Sequence, residues 1–179
     1  MERRKGTTIR RGIFGAAAAL MLAQGGVASA QDSGITATTL VDRAQIEDLL
    51  TRYYYNLGHG GADSFGRFYT DDALFVLGGK TYQGKAGIES AYKSAGENSP
   101  SRNVFSFNVT LSNPLIVVHG NTATARLIFT ETVIDKQGAP PRLIQQGREY
   151  DNLVKVGGQW RFAKRQILPG AQTPEGWSD

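Results

Sequence analysis

The chain has 179 residues, two histidines, no cysteine and a formal charge of +4. The lack of cysteine excludes disulfides, thiolate zinc sites and cysteine nucleophiles, and two distant histidines without spaced partners give no basis for a metal site. The surplus positive charge lies at the N-terminus, where Arg3, Arg4, Lys5, Arg10 and Arg11 face only Glu2; from Gln31 onwards 15 basic residues balance 15 acidic ones, so charge gives no argument for a nucleic-acid partner.

Residues 1–30 read as an export signal. A basic leader, "MERRKGTTIRRGIF", precedes a small-residue apolar stretch, "GAAAALMLAQGGVASA", and "ASA" predicts cleavage between Ala30 and Gln31. The apolar run is too short and too rich in Gly and Ala for a stable span of about 20 residues. The Arg10-Arg11 pair in "IRRGIF" is similar to the twin-arginine export signal; an ordinary secretory leader is the alternative. Either places the protein in the periplasm or outside a bacterial cell. The boundaries that follow are 31–40 as a flexible lead-in, 41–168 as one domain and 169–179 as a loose tail.

"VDRAQIEDLLTRYYYNLG" predicts the first helix, with Asp42 as N-cap and Ile46, Leu49, Leu50, Tyr53 and Leu57 as its buried stripe. Gly58, Gly60 and Gly61 end it. "ADSFGRFYTDDA" predicts a second, short helix with Phe65, Phe68 and Tyr69 on one side. "LFVLGG" and "KTYQG" predict a strand pair around Gly78-Gly79, and "KAGIESAYKSAG" a third helix. After it come strands: "NVFSFNVTLSN", "PLIVVHG", "TATARLIFTETVID", "RLIQQGREYDNLVKV" and "QWRFAKRQI", separated by Asn113-Pro114, Gly120-Asn121, Gly138-Ala139-Pro140-Pro141 and Gly157-Gly158. Helices followed by long strands indicate an α+β fold with helices on one face of an antiparallel sheet.

Alternation along these strands places Phe105, Phe107, Val109 and Leu111 on one face, and Ala123, Ala125, Leu127, Phe129 and Val133 on the corresponding face of the next strand. Glu131 shares that apolar face. An inward carboxylate costs several kcal/mol unless paired, hydrogen-bonded or neutral; the alternative is a local twist that carries Glu131 to water.

The order and spacing of these segments resemble the SnoaL-like group of the nuclear transport factor 2-like superfamily. The segments that carry the likeness, spread over Leu40 to Ile167, are "IEDLLTRYYYNLGHGGADSFGRFYTDDALF", "YQGKAGIESAY", "NPLIVVHGNTATA" and "GREYDNLVKVGGQWRFAKRQI". The resemblance implies a cone: a curved antiparallel sheet wrapped around the N-terminal helices and enclosing a deep pocket for a hydrophobic small molecule such as a polyketide, steroid, terpene or aromatic compound. It implies lyase, isomerase, cyclase or hydrolase chemistry without metal or organic cofactor, or binding alone. Dehydratase-like members carry an aspartate at the end of the first helix, where this chain has Gly58, and often a second three residues on, here Gly61. Their strand histidine corresponds to Val109. Glu149 stands where a tyrosine before Asp is usual, with Tyr150 adjacent.

The groups that remain as acid–base candidates are Tyr54, His59, Glu131 and Glu149. Tyr54 lies one helical turn before Gly58, with room to project towards a pocket mouth; otherwise its ring packs and its hydroxyl meets a backbone partner. Tyr53 reads as core, and Tyr55 points away from both. His59 is flanked by glycines, so pocket and solvent positions stay open. Glu131 and Glu149 fall on adjacent strands; if both face inward, one keeps the other neutral as a general acid, while Arg102, Arg126 or Arg148 offers a purely structural ion pair. Arg102 and Asn103 begin a strand near the mouth and suit a polar substituent of a ligand, while Phe105, Phe107, Val109 and Phe129 supply an apolar wall. His119 reads as surface, and the charges of "KVGGQWRFAKRQ" as a solvated edge over Trp160 and Phe162. Three functions follow: a cofactor-free lyase, dehydratase or isomerase on an aromatic or polycyclic substrate; a ligand-binding protein; or a dimerisation module whose cone is filled by its own side chains. A homodimer through the exposed sheet face is expected with each.

Overall fold

Helix α1 spans Ala37–His59 and begins four residues before the sequence places it. The reason is a reciprocal cap: Thr36 Oγ1 accepts from the Thr39 N–H at 3.1 Å, and Thr39 Oγ1 accepts from the Thr36 N–H at 2.9 Å, a capping box in which threonine replaces the usual glutamate. Asp42, expected as the cap, is inside the helix. Its Oδ1 accepts from Lys155 Nζ at 2.5 Å and from Trp160 Nε1 at 3.0 Å, which ties α1 to the last two strands. The computed structural model describes residues 35–59, 61–97, 99 and 103–177. The export signal and Arg102 therefore lie outside the described residues, as does the side chain of His59.

"ADSFGRFYTDDA" forms two 3₁₀ turns, Ala62–Ser64 and Gly66–Phe68, rather than one helix. The chain is already extended at Tyr69, where β1 (Tyr69–Leu77) starts. Asn56 fixes these turns to α1, donating to Ser64 Oγ at 2.7 Å and accepting from Arg67 Nη2 at 2.9 Å. Strand β1 turns into β2 (Lys80–Gln83) through Gly78 and Gly79, with φ of +57° and +77°; a two-residue hairpin loop with both φ positive favours glycine. Helix α2 spans Gly84–Glu97. Strands β3 (Ser106–His119), β4 (Thr122–Ile134), β5 (Arg142–Val156) and β6 (Gln159–Pro169) complete one six-stranded curved sheet in the order β2-β1-β6-β5-β4-β3. All neighbours are antiparallel except β1 and β6, which are parallel. The fold is the α+β cone that the element order implies.

Helix α1 packs on β3 and β6, and α2 on β1; the Arg43 guanidinium adds a bond to the Ile116 carbonyl. Between helices and sheet lies an aromatic core. Tyr53 sits at its centre, edge-on to Phe65, Phe68 and Phe162, and Tyr92 stacks on Phe65 at 3.8 Å.

Register shifts decide which side chains face that core. In β3 the pairing slips between Ser112 and Leu115, where Asn113 has φ +51°. The inward set changes from Phe107, Val109 and Leu111 to Ile116 and Val118, so the two predicted strands are one continuous strand with a bulge. In β6 Lys164 pairs with Asn152 but Phe162 with Leu153, which leaves Ala163 as the extra residue. Trp160 and Phe162 face inward before it, Arg165 and Ile167 after it. On the outer face the C-terminal residues fold back over β5. The Tyr150 hydroxyl donates to the Gln172 carbonyl at 3.0 Å, and the Trp177 ring sits 4.9 Å from that of Tyr150.

Candidate functional site

The cone is not filled. A cavity of about 760 Å³ opens between α1, α2 and the inner face of the sheet. Its walls are mainly apolar, including Leu57, Phe65, Phe75, Leu77, Tyr92 and Ile167. Tyr54 forms its polar floor, with Arg165 directly behind it, while Glu131, Gln145 and the C-terminal end of α2 lie at its solvent end.

Behind the floor is a fully buried cluster. Glu149, Asp151 and Arg165 are each 0% exposed, on one face of β5 and β6 because Asp151 pairs with Arg165 and Glu149 with Ile167. Arg165 Nη2 donates to Glu149 Oε2 at 2.5 Å, and the Tyr54 hydroxyl donates to the same oxygen. The guanidinium carbon lies 3.6 Å above the Tyr53 ring, a desolvated cation–π contact. Arg165 Nε is 4.0 Å from Asp151 Oδ1, too long for a hydrogen bond.

These contacts set the charge states. Burial, followed by the negative charge of Glu149, pushes the Asp151 carboxyl well above the ordinary carboxylate range, against a smaller downward pull from Arg165. The fold therefore favours the protonated form of Asp151. Burial and the Glu149 charge likewise raise the Tyr54 phenol well above its usual value. Burial opposes charge on Arg165, but Glu149 and the surrounding tyrosines more than offset it and hold the guanidinium ionised.

Tyr54 and Glu149 thus meet, and Tyr54 reaches the cavity while Glu149 stands behind it. Glu131 also faces inward, and Gln145 Nε2 donates to its Oε2 at 2.7 Å. Burial raises its carboxyl, an effect the Gln145 bond partly reverses. The expected mutual titration of Glu131 and Glu149 does not fit this geometry. Glu149 opposes Leu127 and Glu131 opposes Gln145, a separation of about 13 Å along the strands. Phe129 and Phe107 line the cavity. Val109 is half-buried against the core. Phe105 does not join the wall: it precedes β3 and is 61% exposed. Asn103 is an exposed turn residue with φ +65°. Tyr53 is core and Tyr55 is 68% exposed.

Arg165 and Asp151 were missing from the candidates. Asp151 shares the alternation of Gly147, Glu149 and Leu153, and that parity was readable. Arg165 carried no such signal: strict alternation from Trp160 and Phe162 brings Lys164 inward, and only the bulge at Ala163 substitutes Arg165. The solvated-edge reading therefore fails at this residue.

Among the described residues no group of His, Cys, Asp or Glu is placed to hold a metal ion, and no helix is long and apolar enough to cross a membrane.

Curved sheet, open apolar cavity and polar floor are the layout of the nuclear transport factor 2-like fold. The profile of the SnoaL-like domain matches residues 38–166, and the chain belongs to that family. Solved structures with the same fold include ActVI-ORFA from Streptomyces coelicolor (13% identity, TM-score 0.66, covering 75% of this chain and 98% of that one). A protein from Novosphingobium aromaticivorans, provisionally assigned as a scytalone dehydratase, is 21% identical with a TM-score of 0.63, over 81% and 100% of the two chains. A nuclear transport factor 2-like protein with a cystatin-like fold from the same organism is 19% identical, with a TM-score of 0.63 over 76% and 86%. No curated protein matches the sequence.

Proposed function

We propose that the protein is a cofactor-free lyase or isomerase that removes a proton from an aromatic or polycyclic small molecule. The observation that carries this reading is the Tyr54–Glu149–Arg165 arrangement at the cavity floor. Of the three, Tyr54 reaches the cavity, and Glu149 and Arg165 are fully buried behind it. The substrate proton passes to Tyr54 Oη as the tyrosine's own proton passes to Glu149. A concerted relay suits a phenol whose raised pKa keeps phenolate from accumulating. Arg165, fully buried behind Tyr54, positions Glu149 for that transfer through its Nη2–Oε2 bond. Return of the proton through Tyr54 to a different carbon completes an isomerisation; its return to a departing hydroxide completes a dehydration. With Gly58, Gly61 and Val109 at the positions of the dehydratase aspartates and histidine, the acid–base work falls to this set. The likeness in fold to the provisional scytalone dehydratase adds support at the level of reaction class.

The test is exchange of the α-protons of 2-tetralone in D₂O, followed by NMR. The wild type should accelerate it, and Tyr54→Phe should lower that acceleration by about 10²–10⁴-fold. Equal exchange by wild type and variant would remove Tyr54 from the chemistry.

One feature favours the alternative, ligand binding without catalysis: Glu149 is already engaged by Arg165 in a fully buried ion pair. On that reading, ketones bind but exchange no faster than in buffer. A cone filled by its own side chains has no support in a cavity of about 760 Å³. Export by the signal in residues 1–30 and a homodimer through the outer sheet face belong to the same proposal. They are checked by N-terminal sequencing of periplasmic protein, expected to begin at Gln31, and by light scattering.

A further inference from the structure

We propose that a second groove, along the other side of α1, binds an extended acidic segment of a partner protein as an added strand on the edge of β6. The groove holds about 800 Å³ and shares no lining residue with the cavity described above, so its role is separate from the proposed chemistry. One wall is α1, where Gln45, Asp48, Arg52 and Tyr55 follow one another at helical spacing on an exposed stripe. The other wall is the start of β6. Pairing of β1 with β6 begins at Tyr69 and Phe162, so among the described residues no strand covers residues 159–161 on that side. Trp160 and Arg161 both line the groove, although consecutive strand residues point to opposite faces. A hollow that touches both lies at the strand's edge, against its backbone. Such an edge presents N–H and C=O groups to an extended chain. The α1 wall from Gln45 to Tyr55 is about 15 Å long, the length of about four or five extended residues.

The charge of the groove selects the partner. Arg52, Arg67 and Arg161 line it against one acid, Asp48, in a chain whose charges from Gln31 onwards balance at 15 to 15. Each guanidinium is aimed by a neighbour. Arg52 Nε donates to Asp48 Oδ2 at 2.6 Å, Arg67 Nη2 to Asn56 Oδ1 at 2.9 Å, and Arg161 Nη2 to Gln159 Oε1 at 2.7 Å. A guanidinium carries five N–H groups, so the three side chains are oriented and still have donors for carboxylates. Beneath them Leu49, Phe68 and Trp160 are buried and give an apolar floor. A segment that alternates acidic and apolar residues meets both features, its carboxylates with the arginines and its apolar side chains with the floor.

The experiment follows protein amide shifts by NMR during titration with a blocked pentapeptide alternating glutamate and valine. Its lysine–valine counterpart, glutarate and two N-methylated forms of the acidic peptide, one methylated at the valines and one at the glutamates, are the controls. The acidic peptide should shift Gln159, Trp160 and Arg161 and bind at least about tenfold more tightly than the lysine peptide. Alternate N–H groups of a strand face its partner, so one methylated form should lose about tenfold in affinity and the other should keep it. Arg52→Gln combined with Arg161→Gln should weaken the acidic peptide about tenfold, with the amide spectrum away from the groove unchanged, which reports a folded protein. Equal binding of the lysine peptide, or full affinity in both methylated forms or in the double variant, would overturn the inference. So would an absence of shifts at millimolar peptide. Glutarate binding as tightly as the peptide would make the groove a small-anion site. Shifts of the same amides with protein concentration alone would make it a contact between copies of this chain. Either result also overturns the inference, and none of these outcomes bears on Tyr54 or the cavity.

Discussion

Glu149 and Glu131 are the same residue type on adjacent strands, both facing the interior, and their surroundings make them opposites. Glu149 is fully buried, shares one oxygen between a guanidinium and a phenol, and stands beside a carboxyl whose protonated form burial favours. Glu131 is half-exposed, bound by one neutral amide, and lines the cavity at its solvent end. The first belongs to an ion pair that the protein cannot easily lose; the second is a rim group within reach of water. Distance from water and the identity of the partner, rather than the carboxylate itself, assign the role.

The largest test of that contrast is Arg165→Met. Removing the cation leaves Glu149 as a buried, unpaired charge, and urea unfolding should show a loss of about 3–5 kcal/mol. Adding Glu149→Gln should restore most of it, because the pair is then removed as a unit; a double variant no more stable than the single one would mean that Arg165 matters through packing on Tyr53 alone.

The raised carboxyl gives a pH signature. The folded-state pKa of Asp151 lies well above that of an ordinary carboxyl, so its protonated form is favoured by the fold. Its contribution is complete below about pH 4 and is lost as pH rises through the folded value. The stability of wild type relative to Asp151→Asn should therefore fall by about 1.4 kcal/mol per pH unit over that window. A flat difference between pH 4 and pH 8 would mean that Asp151 is ionised in the folded state.

Gly147 lies against Phe129, which lines the cavity. An added Cβ would meet the Leu168 carbonyl at 2.5 Å and the Phe129 ring at 2.7 Å, so Gly147→Ala should cost about 1–3 kcal/mol in urea unfolding and displace Phe129, visible as altered 2-tetralone exchange. The smallest effect belongs to the rim: Glu131→Leu should change stability by less than about 1 kcal/mol. A larger loss would make Glu131 a structural group and break the contrast.

Much of this was legible in the chain. Periodicity located α1's buried stripe, from Ile46 to Leu57, and the inward row of β4, with Glu131 among its apolar neighbours. The element order pointed to the α+β cone. Local capping was less legible: Thr36 and Thr39 cap one another, and Asp42, a good cap by composition, is drawn instead to Lys155 and Trp160 across the fold. The tail read as loose because its anchor is a tyrosine on a distant strand.

The sequence by itself determined the alternation of each strand and hence the existence of a greasy concave face with a few charged intruders. Only the tertiary structure decided which intruders meet. A bulge of one residue at Ala163 turns Arg165 inward, and the pairing of β5 with β6 then sets it beside Asp151 and close to Glu149, under the reach of Tyr54. The physical reason is that side-chain direction in a strand has a period of two. Each bulge inverts that direction for every residue beyond it, and whether a bulge forms is settled by packing between strands far apart in the chain.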